Sequence, residues 1–167
     1  LAFISFCLCA SAGYLLNDLL DIPDDRKHHR KKNRPLANGK LPMMYAVITI
    51  PLLVAAAFII TVPLPRLFHI ILSIYFISTV SYSLILKQII MLDVIVLAML
   101  YTLRIIAGTI ATDVAYSAWL LAFSMFMFLS LALLKRYSEL VAMPAHSTHR
   151  AAGRGYAWSD AILVGQC

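Results

Sequence analysis

The chain has 167 residues, 62% of them hydrophobic and 13% charged, with a mean hydropathy of +0.85 and a net charge of +6. A water-soluble domain of this size needs more polar surface, so the composition excludes an ordinary soluble protein and indicates a multi-pass membrane protein. The positive charge lies at the ends of apolar segments without companion stacking aromatics, which argues against a nucleic-acid partner.

A helix needs about 20 apolar residues to cross a bilayer. Residues 1–20, 43–62, 67–86, 90–111 and 117–134 meet or approach that length, and a further apolar run begins near Trp158. The fold class expected is all-α: a polytopic transmembrane helical bundle, one domain over 1–167, with about five spans plus the start of a sixth. The first residues carry no basic leader and no Ala-x-Ala cleavage site, so a signal peptide is not expected. The absence of an initial Met and the new apolar run near the end suggest an internal piece of a longer bundle. Cys7, Cys9 and Cys167 form no Cys-x-x-Cys pair and are read as small apolar fillers.

The first span runs into a densely charged segment, NDLLDIPDDRKHHRKKNRPLANGKLP, from Asn17 to Pro42. Asn17, Asp18, Asp21 and Asp25 have the spacing N-D-x-x-D-x-x-x-D. At about 100° per residue, positions 18, 21 and 25 share one helical face, although Pro23 should kink it. Three carboxylates and an amide at the end of a span repel one another unless a cation sits among them. Hard oxygen donors of this kind suit Mg²⁺, which takes one or two carboxylates and completes its shell with water and substrate phosphate. Asn17, Asp18, Asp21 and Asp25 are therefore the candidate metal ligands, with Asp18, Asp21 and Asp25 the candidate catalytic residues. The competing reading is a solvated acidic helix end, salt-bridged to the basic run that follows. Pro35 and Gly39 punctuate a short ordered loop in which Lys32 and Arg34 are placed to clamp phosphate oxygens. A polybasic patch for anionic lipid is the alternative.

Pro63 and Pro65 mark a tight turn between the second and third spans. Because spans alternate, the segment 21–42, the turn at Lys87 and the segment 135–157 share one face, which holds twelve of the fourteen Lys and Arg residues. The opposite face holds Arg66, and Arg104 lies within a span. That asymmetry places the charged face in the cytoplasm, and the membrane expected is a bacterial-type plasma membrane. Asp93 and Arg104 are about three turns apart on one face, roughly 16 Å along the axis and too far for a direct pair. Arg104 is costly against lipid and should face the bundle, near a lipid substrate or beside a structural partner, with Gly108 one turn on allowing close packing. Lys87 is either a substrate ligand or a snorkelling anchor. The aromatics and methionines of 119–128 suit lipid-facing or packing positions, and Tyr116 and Trp119 an interfacial belt. His28, His29, His69, His146 and His149 show no metal spacing and are read as loop or interface residues.

The stretch from Asn17 to Leu41 resembles the first signature of the UbiA prenyltransferase superfamily, N-D-x-x-D-x-x-x-D followed by an R-P-L-A-x-G loop, matched at Asn17, Asp18, Asp21, Asp25, Arg34, Pro35 and Gly39. The resemblance implies Mg²⁺ and a diphosphate at the cytoplasmic mouth of a bundle of usually nine spans, of which this chain would cover the second to sixth and the start of the seventh. It also implies a second acidic motif, D-x-x-x-D. Here the chain departs, reading Lys135-Arg136-Tyr137-Ser138-Glu139-Leu140 and later Gly153-Arg154-Gly155-Tyr156. This version, with Leu86-Lys87 leading to Asp93 and the run Leu103-Arg104-Ile105-Ile106-Ala107-Gly108, is similar to the decaprenyl-phosphate phosphoribosyltransferase branch. The partners implied are membrane lipid, a polyprenyl phosphate or diphosphate, and phosphoribosyl diphosphate. Bases in place of acids suit a site that holds more phosphate. Lys32, Arg34, Lys87, Asp93, Arg104, Lys135, Arg136, Glu139 and Tyr156 join Asn17 as candidate substrate ligands. A prenyl transfer to an aromatic acceptor is the alternative activity. A transporter or lipid-binding scaffold is the non-enzymatic one, disfavoured because Gly and Pro fall mostly in turns rather than at mid-span.

Overall fold

A computed structural model describes residues 1–27 and 31–141, with the Lys27 side chain left aside. Five of its helices are long and apolar enough to cross a membrane: α1 (Ala2–Leu20), α3 (Met43–Ile60), α4 (Arg66–Leu84), α5 (Leu92–Thr112) and α6 (Ala118–Val141). The short α2 (Ile22–Lys27) lies between the first two. The run near Trp158, Tyr156, and the histidines 28, 29, 146 and 149 lie outside the described residues. Within them the all-helical bundle expected from hydropathy is the fold.

The helix ends follow local chemistry. Pro42 and Pro65 cap α3 and α4, where a missing N–H costs nothing. Thr61 turns its hydroxyl back onto the carbonyls of Ala57 and Phe58, satisfying the last turn of α3. Pro23 falls in the first turn of α2, after a break at Asp21. The interruption expected at Pro23 in the acidic face therefore falls two residues earlier, at Asp21.

Two of the differences from the hydropathy reading have a clear local cause. The last span was expected to end at Leu134, but α6 continues for two more turns to Val141. Charge at Lys135 and Arg136 ends an apolar run without ending a helix, because Lys, Arg, Glu and Leu are good helix formers. The fourth span begins at Leu92 rather than at 90, because Met91 adopts a left-handed conformation (φ 67°) that separates α5 from a 3-10 turn at Leu86–Gln88.

Helices α1, α4 and α5 pack around the core of Phe6, Cys9, Phe68, Ile71, Leu72, Tyr75, Leu100 and Ala107, with α3 against α1 and α6 against α5. Lipid tails are as apolar as these side chains, so close packing holds such helices together rather than apolar burial alone. Gly13 shows this most sharply, since a Cβ there would stand 2.5 Å from Thr79 Cγ2. Among the described residues Gly108 does not play the packing role expected of it: a Cβ there would meet none of their atoms within 4 Å. The rings of Phe6, Phe68 and Tyr75 interlock edge to face. Trp119, Phe123 and Phe126 are exposed on α6, whereas Phe128 stacks on Tyr101 of α5.

Ion pairs fix which ends lie together. Pairs from α1 to the loop after α2, from α1 to the turn before α5, and from α5 to the end of α6 gather the charged residues at one end of the bundle. A second small cluster, Ile22, Leu36 and Ala46, seals the loop between α2 and α3 against that end.

Candidate active site

Asn17 and Asp18 stand on the last turn of α1, Asp21 at its cap, and Asp25 on α2. The loop after α2 folds back over them. Leu36 and Ala37 are buried, and Arg26 Nε donates to the Ala37 carbonyl at 3.0 Å. The Asn38 side chain bonds the Asn33 carbonyl and the Lys40 amide, which closes the turn around Gly39 (φ 79°). Glycine accepts that left-handed conformation without penalty. The fixed loop delivers Arg34 to the acids: its Nη1 donates to Asp18 Oδ1 at 2.7 Å and to Asp25 Oδ2 at 2.8 Å. Asp25 is 3% exposed, so Arg34 compensates a carboxylate that is largely cut off from water.

The other half of the motif is held from a distant segment. Asn17 Nδ2 donates to Asp21 Oδ2 at 2.9 Å, and Lys87 Nζ donates to Asn17 Oδ1 at 3.1 Å and to Asp21 Oδ1. Lys87 comes from the 3-10 turn between α4 and α5 and is 6% exposed. It is an inward counter-ion, not an anchor reaching for the membrane surface.

The four motif residues thus do not converge on one point. They divide into an Asp18/Asp25 pair around Arg34 and an Asn17/Asp21 pair around Lys87. No three His, Cys, Asp or Glu side chains among the described residues are close enough to chelate one ion. The expectation of a single nest of carboxylates is corrected accordingly: Arg34 from the loop and Lys87 from a distant turn divide the acids between them. The residues still fit Mg²⁺ in a narrower sense. Asp18 and Asp25 both present an oxygen to one cationic nitrogen, and two carboxylates are what Mg²⁺ takes when water and phosphate fill the rest of its shell.

The expected basic second motif is only partly available to a ligand. Arg136 is 4% exposed; its Nη1 donates to Glu139 Oε2 at 2.6 Å and its Nη2 to Asp93 Oδ2. Asp93 is fully buried in the first turn of α5, where a carboxylate suits the helix N-terminus. Asp93, Arg136 and Glu139 therefore tie α6 to α5. Lys32 and Lys135 are exposed.

Arg104 does not pair with Asp93. Its Nη2 donates to the Tyr75 hydroxyl at 2.6 Å, and its guanidinium carbon stands 5.2 Å from the ring centres of both Tyr75 and Tyr101. Its Nε finds no hydrogen-bond partner among the described residues. Arg104 lines an apolar cavity of about 600 Å³ with Phe3, Phe6, Gly108 and Thr112, which lie toward the opposite end of the bundle. Tyr75 and Arg26 were missed by sequence reasoning, because nothing in their neighbourhoods distinguishes them from packing and topology residues.

The model of the UbiA prenyltransferase family matches residues 1–155. The chain belongs to that family. Its sequence is 38% identical over 165 residues to a nodulation protein, NoeC, of Azorhizobium caulinodans, covering 98% of this chain and 53% of that one. It is 36% identical over 158 residues to the uncharacterized protein y4nM of Sinorhizobium fredii, covering 95% and 31%. It is 37% identical over 139 residues to a decaprenyl-phosphate phosphoribosyltransferase of Mycolicibacterium smegmatis, covering 83% and 44%. The chain therefore spans about half or less of the length of these relatives. Family membership and five span-length helices make this an integral, multi-pass membrane protein.

Proposed function

We propose that the protein containing this chain is a UbiA-type transferase acting at the cytoplasmic edge of a plasma membrane, and that it moves a phosphoribosyl group from phosphoribosyl diphosphate to a polyprenyl phosphate. The observation that carries this reading is the two-part acidic motif, held by Arg34 and Lys87 at the charged end of a lipid-length bundle. Identity with phosphoribosyltransferases of this family supports the choice of donor.

In the reaction, a lipid phosphate oxygen forms a bond to the anomeric carbon of the sugar while the bond from that carbon to diphosphate breaks. Diphosphate leaves with both bonding electrons and carries high negative charge. Asp18 and Asp25 would hold Mg²⁺, which neutralises such a leaving group when bound. Arg34 and the exposed Lys32 stand on the loop beside it, positioned to bind its oxygens. Lys87 keeps Asn17 and Asp21 in place. The apolar bundle excludes water, which would otherwise capture the cationic sugar carbon.

Transfer of a prenyl group from a prenyl diphosphate to an aromatic acceptor is the second reading, favoured by the description of the family model itself. Both reactions release diphosphate, so one assay separates them. The full-length protein, in lipid nanodiscs with Mg²⁺, is given radiolabelled phosphoribosyl diphosphate and polyprenyl phosphate, or a prenyl diphosphate and an aromatic acid. Label appearing in the lipid phase only with the first pair supports the proposal. Diphosphate release only with the second pair overturns it in favour of prenyl transfer, and no release with either leaves a binding or transport role.

A further inference from the structure

The acidic motif already contains two cations, and they differ in how they are held. Lys87 is nearly inaccessible and is anchored on a turn between two spans. The Arg34 side chain is 36% exposed and reaches its carboxylates from a solvent-facing loop. The loop backbone does not depend on that reach, because Leu36, Ala37, Arg26 and Asn38 fix it independently. Arg34 can therefore leave Asp18 and Asp25 by rotating its own side chain, whereas Lys87 cannot leave without moving helices.

We propose that Arg34 is a displaceable cation that occupies the Asp18/Asp25 pair until a divalent metal takes its place, and that the released guanidinium then binds the phosphate groups of the ligand. Lys87 stays on Asn17 and Asp21 throughout and serves there as a built-in counter-charge. The inference rests on the diphosphate-binding function proposed above and adds an order of events to it. Three requirements support it. A single guanidinium nitrogen bridges the two carboxylates, so metal and Arg34 cannot share both. Asp25 is buried with its carboxylate against Arg34, so a side chain that withdraws from it must be replaced there by another cation. An arginine that gives up two carboxylates to a divalent ion has an equivalent anionic partner only when phosphate is present.

The signature is a change of sign. An occupant that must leave reduces apparent affinity by the fraction of time the site is vacant; if Arg34 occupies the pair about 90% of the time, its removal tightens metal binding about tenfold. Binding of Mn²⁺ alone is measured by electron paramagnetic resonance on the full-length protein in nanodiscs at 0.15 M salt. Arg34→Gln should bind Mn²⁺ about tenfold more tightly than wild type, yet bind inorganic diphosphate more weakly at saturating Mg²⁺ in calorimetry. Lys40→Gln removes the same charge from the same loop without touching the acids, and should change Mn²⁺ affinity less than about twofold because distant exposed charges are screened. In case Arg34→Gln is poorly stable, its melting temperature is followed with and without Mg²⁺; the metal should raise it more than in wild type. Equal or weaker Mn²⁺ binding by Arg34→Gln overturns the proposal, as does equal tightening in Lys40→Gln or unchanged diphosphate affinity. Absence of Mn²⁺ binding in both wild type and Arg34→Gln overturns the metal reading as well. Phosphoribosyl transfer that persists while Arg34→Gln fails to tighten metal binding overturns the exchange alone.

Discussion

Lys87 Nζ lies 3.1 Å from Asn17 Oδ1, seventy residues away along the chain, and the same ammonium donates to Asp21 Oδ1. One buried cation thus joins the end of α1 to the turn that introduces α5. Removing it leaves the half-buried Asp21 carboxylate with the Asn17 amide but without its cation, which costs more than the pair contributes. Lys87→Met should lower stability by about 3 kcal/mol. Thermal unfolding in detergent checks this, with Lys87→Arg as a partial rescue that keeps charge at the cost of fit. An unchanged melting temperature in Lys87→Met would mean that Asp21 finds another partner.

The Asp93–Arg136 pair predicts a different pattern. Both side chains are buried, and Glu139 shares the guanidinium. Arg136→Met alone takes the guanidinium away from the buried Asp93 carboxylate and should cost about 3–5 kcal/mol. Asp93→Leu alone should cost comparably, while the double variant Asp93→Leu/Arg136→Met should be less damaged than either. A double-mutant cycle measured by chemical unfolding reads the coupling. Additive losses would show that the pair does not act as a unit. The same experiment asks what the basic second motif is for: tight coupling assigns Arg136 to holding α6, leaving Lys135 as the exposed base beside it.

Much of this architecture was legible in the sequence, for a physical reason. Lipid demands runs of about 20 apolar residues, so span number and approximate position follow from hydropathy alone. Helix ends were less legible where charge and helicity part company. Lys135 and Arg136 stop an apolar run, yet α6 continues through them. Met91 is left-handed with no Gly or Asn to announce it. At the site, the residue types and their clustering were readable, but their pairing was not. Local spacing placed positions 18, 21 and 25 on one face, whereas Asp21 breaks the helix and a lysine from a remote turn and an arginine from a loop divide the acids between them. Such pairings depend on which helices become neighbours, and a single sequence does not encode that locally.

Arg104 and Tyr75 should respond asymmetrically. The guanidinium has one hydroxyl partner, two aromatic faces and a buried Nε with no partner among the described residues. Tyr75→Phe keeps the ring but strands a second charged donor, and should cost about 2 kcal/mol. Arg104→Met removes the intramembrane charge together with its unmet donor, and should change stability by less than about 1 kcal/mol because the desolvation cost disappears too. Unfolding midpoints of the two variants, measured side by side in one detergent, decide the point. A larger loss in Arg104→Met than in Tyr75→Phe would show that the charge stabilises the bundle outright.

A tight contact between α1 and α4 yields a prediction independent of any chemistry at the site. Gly13 is buried, and a Cβ there would stand 2.5 Å from Thr79 Cγ2. Threonine is β-branched, so its methyl cannot rotate away without giving up a favoured rotamer, and its hydroxyl is committed to the Tyr75 carbonyl at 2.8 Å. Gly13→Ala must therefore push the helices apart, at a cost of about 1–3 kcal/mol that outweighs the roughly 1 kcal/mol gained from better helix propensity. Thr79→Ser deletes the offending methyl and keeps the hydroxyl bond. The double variant Gly13→Ala/Thr79→Ser should accordingly recover wild-type stability or exceed it. Melting temperatures of the two single variants and the double close the cycle. A double variant as damaged as Gly13→Ala would show that the new methyl collides with backbone rather than with Thr79, and that the two helices meet more closely than this one side chain records.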